Sequence, residues 1–232
     1  SQRINLIRAI MHTRVLIALA LAANLAAVAQ DTAFDWPRDK ALIDLWRHKD
    51  NCTFEPQADD GARTGVHRWH SAFAPFEFTW ATLHFKKPLD LADAGSVRYW
   101  VKGDGSGHRL QFQLGAPGLQ GRGSLYYVNT AEAVTLNFKG WRECQASLAR
   151  FITPAGGDPV RDLGQVVFAQ FMIQRAPRGA ATMDIQLGNF RIARDSAKQR
   201  TIAALREQRR LAEAERVRQQ ELEVQQNRAA LE

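Results

Sequence analysis

Between about residue 52 and residue 193, apolar and polar positions alternate in short stretches, or β-branched and aromatic residues run together. The stretches read "GVHRWHSAF", "FEFTWATLHF", "SVRYWVK", "RLQFQL", "SLYYVN", "VTLNF", "WRECQA", "QVVFAQFMIQR" and "TMDIQLGNFRI". Clusters of Gly, Pro and Asp separate them, such as "DDGARTG", "GDGSG", "GAPGLQGRG" and "TPAGGDP". A period of two puts alternate side chains on opposite faces of a strand. About nine such segments with no helix between them predict an all-β, antiparallel β-sandwich.

At Asp195 the texture changes. No Gly or Pro occurs from there to Glu232, and Ala, Leu, Glu, Gln and Arg dominate. The segment predicts one long C-terminal α-helix, nearly 60 Å at about 1.5 Å per residue. Its apolar positions (Ile202, Leu205, Leu211, Val217, Leu222, Val224, Leu231) hold no heptad, so it reads as a solvated spacer over 194–232. "QQNRAALE" stops in mid-helix, so the expected protein is longer, with this chain as its N-terminal part. Ahead of the strands, "DTAFDWPRDKALIDLWRHKDN" is a lead-in over 30–51, read as either a short helix or an irregular segment.

The first 29 residues change the picture of charge and location. "MHTRVLIALALAANLAAVAQD" has a basic start at Arg14, an apolar run from Val15, and Ala27-Val28-Ala29 before Gln30. These are the parts of a secretory signal peptide, and the run of about 15 residues is shorter than the roughly 20 a membrane span needs. The expectation is a secreted or periplasmic protein without a stable membrane span, preceded by upstream translated residues, "RINLIRAI". The chain of 232 residues carries +7; without residues 1–29 the balance falls to +4, too mild to argue for nucleic acid. Export also permits a disulfide between Cys52 and Cys144, but two thiols cannot be paired from sequence, and a bridge and two free thiols both stand.

"VKGDGSGHRLQFQL" (101–114) carries three glycines after an apolar stretch, as a phosphate-cradling loop would. Such a loop needs a helix to follow, so that backbone N–H groups point at the anion. Here "HRLQFQL" alternates as a strand, no "GK[ST]" follows, and the spacing is not G-x-G-x-x-G. The loop reads as a hairpin connection. Ser106 lacks the flanking glycines of a nucleophile elbow. His67 and His70, three apart on a strand, face opposite ways, and no catalytic carboxylate pair can be nominated from spacing. No catalytic constellation is found in this chain.

Together, "KKPLDLADAGSVRYWVKGDGSGHRLQFQLG" and "LNFKGWRECQASLARF", with the closing "LGNFRI", resemble the galactose-binding-like jelly-roll domains, which include carbohydrate-binding modules of secreted bacterial glycoside hydrolases. The resemblance spans about residues 40–193 and implies a jelly roll with a polysaccharide or oligosaccharide as partner. It also implies a C-terminal catalytic domain, with glycoside hydrolase activity, beyond this chain. A non-binding, structural or protein-interaction sandwich is the alternative, because one fold serves several functions. Such domains often place an Asp of a structural calcium site on the last strand. Gly188 and Asn189 stand there in this sequence, which leaves Glu55 and Asp184 as the oxygen ligands for Ca2+.

Alternation then divides the faces. Val97, Tyr99 and Val101, Leu110, Phe112 and Leu114, Val167, Ala169, Phe171 and Ile173, and Met183, Ile185 and Leu187 form the apolar sets. Opposite them, one face is expected to gather Trp100, Arg98, Gln111, Gln113, Gln170, Gln174, Asp184 and Gln186, with Tyr126 from the "YY" pair as a further candidate. An aromatic ring among amides and charges suits a sugar, whose C–H faces stack on the ring while planar side chains bridge hydroxyls. A solvated sheet face, or one covered by the C-terminal helix, has the same pattern. Trp69 and Trp80 could face either way, and Trp141 reads as a packing residue.

Overall fold

The computed structural model describes residues 32–36, 38–74, 76–118, 124–128 and 130–229. The segment expected to be a signal peptide lies outside them. Every alternating stretch of the sequence becomes a strand. In chain order these are β4 (His67–Ala72), β5 (Phe78–Leu89), β6 (Ala94–Asp104), β7 (Arg109–Pro117), β8 (Ser124–Val128), β9 (Val134–Thr135), β10 (Lys139–Ser147), β11 (Val166–Gln174) and β12 (Thr182–Arg194). Three more precede them: β1 (Thr32–Asp35), β2 (Ile43–His48) and β3 (Cys52–Pro56). The lead-in over 30–51 is therefore corrected, since β1 pairs with β12 and β2 with β5, and the sandwich begins before residue 52.

Two antiparallel sheets of six strands face each other. The first runs β10-β6-β12-β4-β3, with β1 beside the second half of β12; the other runs β2-β5-β11-β7-β8, with β9 beside β7. Consecutive strands mostly change sheet, which makes the sandwich a jelly roll. The "GDGSG" loop is thus not a hairpin. Gly105 and Gly107 take φ of 81° and 75°, as a tight turn requires, but the loop arches from β6 in one sheet to β7 in the other.

The apolar sets meet in the middle. Val97, Tyr99 and Val101 of β6 and Met183, Ile185 and Leu187 of β12 are buried against Leu110, Phe112 and Leu114 of β7 and Ala169, Phe171 and Ile173 of β11. Val167 departs from this set, because a bulge between Val166 and Phe168 turns Val166 inward instead. A second irregularity, between Gly188 and Arg191 of β12, includes Asn189 at φ 48°. It resets the alternation, so Phe190 and Ile192 follow Leu187 into the core. Aromatic rings then interlock across the sandwich: Phe190 lies 5.3 Å from Phe171, 5.4 Å from Phe112 and 5.5 Å from Phe34, and Tyr99 lies 5.1 Å from Phe171.

Cys52 and Cys144 are buried free thiols. They sit on β3 and β10, the two edges of one sheet, four strand spacings or roughly 19 Å apart, well beyond disulfide reach.

A short helix, α1 (Pro159–Asp162), precedes β11, and a long one, α2 (Ser196–Ala229), closes the described chain. Asp195 caps α2 by accepting the N–H groups of Ala197 and Lys198. The first turns of α2 are docked on the sandwich. Ile202 is buried, Lys198 Nζ donates to the Ala94 carbonyl at 2.9 Å, and Arg206 pairs with Asp90 through both nitrogens at 2.6 and 2.8 Å. Beyond Arg209, which holds Asp158 at 2.9 Å, the side chains through Asn227 are exposed, with Glu–Arg pairs three residues apart. The helix covers neither sheet face. Among the described residues, no helix is long and apolar enough to cross a membrane.

The ring interlock makes Phe171 the side chain on which both sheets close. Phe171→Ala is expected to lower the unfolding free energy by about 3–5 kcal/mol in urea titration. A loss below about 1 kcal/mol would show that the core collapses around the cavity and does not depend on that ring.

Candidate functional site

The candidate residues do not share one face. Since β6 and β12 belong to one sheet and β7, β8 and β11 to the other, the polar set splits between opposite outer surfaces. Arg98, Trp100, Asp184 and Gln186 lie on the first sheet, and Gln111, Gln113, Gln170, Gln174 and Tyr126 on the second. The expectation of a single face is corrected on that ground.

On the first sheet the candidates are largely taken up by neighbours. The loop over residues 57–66 folds across the face, and the Arg63 guanidinium lies 4.6 Å from the Trp100 ring centre and 5.1 Å from that of Trp141. Asp60 accepts the Trp141 indole N–H at 2.7 Å. Asn189 ties the loop down: its Oδ1 accepts the Thr64 N–H at 2.6 Å, and its Nδ2 donates to the Ala62 carbonyl at 3.1 Å. Asp184 receives Arg68 through both oxygens, which holds its carboxyl below the ordinary range. Arg68 stands opposite Glu55 on β3, so a cation separates the two carboxylates expected to bind calcium. Glu55 and Asp184 therefore form no oxygen cage, and among the described residues no three His, Cys, Asp or Glu side chains cluster as a metal site. Gln186 sits in register between Lys102 and Arg68. Arg98 is exposed beside Arg191, in a groove of about 350 Å³ that also touches Trp100 and Glu143. This face is a charged, ion-paired surface.

The outer face of the second sheet is of a different kind. Strand register lays it out in rows. Leu45, His84, Phe168, Gly115 and Tyr126 form one; Arg47, Thr82, Gln170, Gln113 and Val128 the next; then Trp80, Met172 and Gln111; then Phe78, Gln174 and Arg109. Phe168 lies over Gly115, where a Cβ would stand 1.9 Å from the ring, so glycine is required. Tyr126 is exposed and tilts against Phe168 at 5.4 Å, whereas Tyr127 points inward and donates its hydroxyl to Asp162 at 2.7 Å.

Across the next row runs a chain of oriented hydrogen bonds. The Thr82 hydroxyl donates to Gln170 Oε1 at 2.8 Å, and Gln170 Nε2 donates to Gln113 Oε1 at 3.1 Å. Gln113 Nε2 then has only the Met172 sulfur, at 3.7 Å, among the described residues. Gln111 is 5% exposed, yet its amide takes part in no hydrogen bond with the described residues. Both amides line a groove of about 420 Å³ with Phe78, Met172, Val128 and Gln174. Open donors and acceptors at the base of a groove can exchange their water for the hydroxyls of a ligand.

Sequence reasoning missed Phe78, Thr82 and His84 on this face, left Trp80 open to either side, and did not count the outward Phe168 among the candidates. Alternation in "FTWATLHF" separates two sets that each hold an aromatic and a hydroxyl residue, and only the fold shows that Thr79, Ala81, Leu83 and Phe85 turn inward and the other four point out.

A second groove, of about 500 Å³, continues from the first through Glu77 and Gln174. Behind its wall lies His108, fully buried, whose Nδ1 accepts the Ala176 N–H at 3.2 Å.

The fold and face define a class: a jelly-roll sandwich with an amide-and-aromatic groove on one outer sheet. No family model and no curated protein matches the chain. Among solved structures it is similar to a family 11 carbohydrate-binding module from Clostridium thermocellum in complex with a β-1,3-1,4-mixed-linked tetrasaccharide. That likeness has 13% identity and a TM-score of 0.46, over 64% of this chain and 86% of the other. It is also similar to a family 30 carbohydrate-binding module, at 12% identity and a TM-score of 0.48, over 66% and 94%. An exo-β-agarase matches at 10% identity and a TM-score of 0.46, over 65% of this chain and 23% of the enzyme. At these values the likenesses carry no argument about the site, and its definition rests on strand pairing and side-chain placement.

Burial pushes the His67 and His108 pKa values down, since charging either ring inside the fold costs desolvation. The folded state therefore binds fewer protons than the unfolded chain, whose histidines titrate near 6.5. Stability from these groups is complete above about pH 6.5 and is lost progressively below it, before carboxylates such as Asp184 begin to protonate. Urea midpoints should be flat from about pH 7 to 8 and lower at about pH 5.5; an unchanged midpoint would contradict burial of the neutral rings.

Proposed function

We propose that the chain is a non-catalytic carbohydrate-binding domain that holds an oligosaccharide or polysaccharide on the outer face of its second sheet. The observation that carries this is Gln111, more than nine-tenths buried at the base of a groove with no partner for its amide among the described residues. Beside it the Gln113 Nε2 is nearly unpartnered, while the Thr82–Gln170–Gln113 chain fixes which way the amides point. Adjacent sugar hydroxyls offer the donor and acceptor pairs that planar amides need, and the Phe78, Trp80 and Tyr126 rings suit pyranose C–H faces. The leader-like residues 11–30 support export, and with it a role as accessory to a secreted, glycan-cleaving catalytic domain.

A glycan array on the full chain, followed by titration calorimetry, tests the proposal. Gln111→Ala and Gln113→Ala should each weaken the best ligand about five- to tenfold, and Trp100→Ala, on the opposite sheet, should leave it unchanged. Binding to no glycan would overturn the proposal. Loss on Trp100→Ala with Gln111→Ala silent would move the site to the first sheet.

A further inference from the structure

The two grooves on the second sheet differ in charge. The first is lined by amides, Phe78, Met172, Val128 and Thr130, with Glu77 as its charged side chain, and Arg47 ends the amide row at the far edge of the sheet. The second groove is lined by two guanidinium groups, Arg109 and Arg175, against one carboxylate, Glu77. Arg109 extends β7 beyond Gln111, and its Nη2 reaches the Thr130 carbonyl at 3.3 Å, on the wall of the first groove. Arg175 follows directly on β11; its backbone N–H donates to the Glu77 carbonyl at 2.7 Å, but its Nε is buried with no partner among the described residues. Neither arginine forms an ion pair with a carboxylate of the described residues. Arg68, Arg194, Arg206 and Arg209 are each matched by an aspartate, while Arg47, Arg98 and Arg142 are unmatched but do not converge on one groove as Arg109 and Arg175 do.

Two unmatched guanidinium groups at the end of a polar groove are suited to a planar oxyanion. The fork of N–H donors fits a carboxylate or sulfate oxygen pair, and these charge-assisted bonds are roughly twice as strong as neutral ones. Building on the carbohydrate reading of the first groove, we propose that the bound glycan is acidic. Its chain runs from the amide row into the second groove, where Arg109 and Arg175 receive a carboxylate or sulfate-ester group. Glu77, on the same wall, disfavours a second anionic group beside the first and so favours a glycan charged at intervals over one charged on every residue.

Titration calorimetry on the full chain with three probes of matched length separates the possibilities: a neutral gluco-oligosaccharide, an oligosaccharide with a uronate at every second residue, and a galactan oligosaccharide with a sulfate ester at every second residue. One acidic probe should bind about tenfold tighter than the neutral one at low salt, and the advantage should shrink at about 0.5 M salt. Which acidic probe wins identifies the carboxylate or the sulfate ester as the source. Arg109→Gln and Arg175→Gln should each remove most of that advantage, and Arg175→Gln, which has no contact with the wall of the first groove, should leave the neutral affinity unchanged. Arg175→Lys serves as a second variant that keeps the charge, and Arg98→Gln, on the opposite sheet, should have no effect. Neutral and acidic probes binding alike, insensitive to both arginine variants, would overturn the acidic assignment while the carbohydrate-binding reading stands. Acidic binding lost on Arg98→Gln instead would overturn it by placing the anion on the first sheet. Failure to bind any of the probes and any glycan of the array would overturn both.

Discussion

The contact on which the molecule depends is the interlock of aromatic rings between the sheets, centred on Phe171 and Phe190. A jelly roll of consecutive strands that keep changing sheet has few hairpins to hold its layers in register, so the inner faces must do so. Phe190 reaches this position only because the irregularity around Asn189 resets the alternation of β12. The same residue, through its side-chain amide, ties down the 57–66 loop that lies over Trp100 and Trp141. One backbone departure therefore joins the core and occupies the outer face of the first sheet. Where the family resemblance leads one to expect a calcium-binding aspartate, this chain has an amide that performs a mechanical task.

Much of the fold was legible in the sequence because alternation is a local signal. Within β6, β7 and the first half of β12 the inward residues are those the period of two selects, and the long helix is plain from its lack of Gly and Pro. What local patterns do not carry is which strands share a sheet. "SVRYWVK" and "RLQFQL" lie close in sequence but in opposite sheets, so Trp100 and Gln111, both outward, point away from each other. β1 and β2 were invisible for another reason. They are short and charged, each with a single interstrand partner, as suits strands that must not recruit further chains. In the candidate site, the glutamines of β7 and β11 were legible as a set, whereas the contribution of β5 was not, because Trp80 could not be assigned a face without register.

The two outer faces show why polarity alone is a weak guide to a binding surface. On the first sheet Arg68 and Asp184, and Arg191 and Asp35, satisfy one another in the open. Such pairs contribute little stability and leave little unmet hydrogen-bonding capacity. On the second, Gln111, Gln113 and Gln170 are held away from bulk water beside Phe168 and Met172, where an open donor or acceptor matters far more. Burial of amides, more than their number, is what separates the second face from the first.

The helix adds a mechanical consequence. Tyr126 faces outward beside the groove rows, and its neighbour Tyr127 donates through the core to Asp162. Asp162 accepts the Asp158 N–H, and Asp158 holds Arg209 of α2, while Arg206 and Lys198 pin the preceding turns. A flexible tether would need Gly, Ser or Pro between the sandwich and whatever follows. Here β12 passes into α2 at Asp195 with no such residue between, and an N-cap and three cationic side chains fix the first turns. The exposed turns beyond Arg209 then extend in a direction set by the sandwich, so the outer face of the second sheet keeps a defined angle to the helix axis.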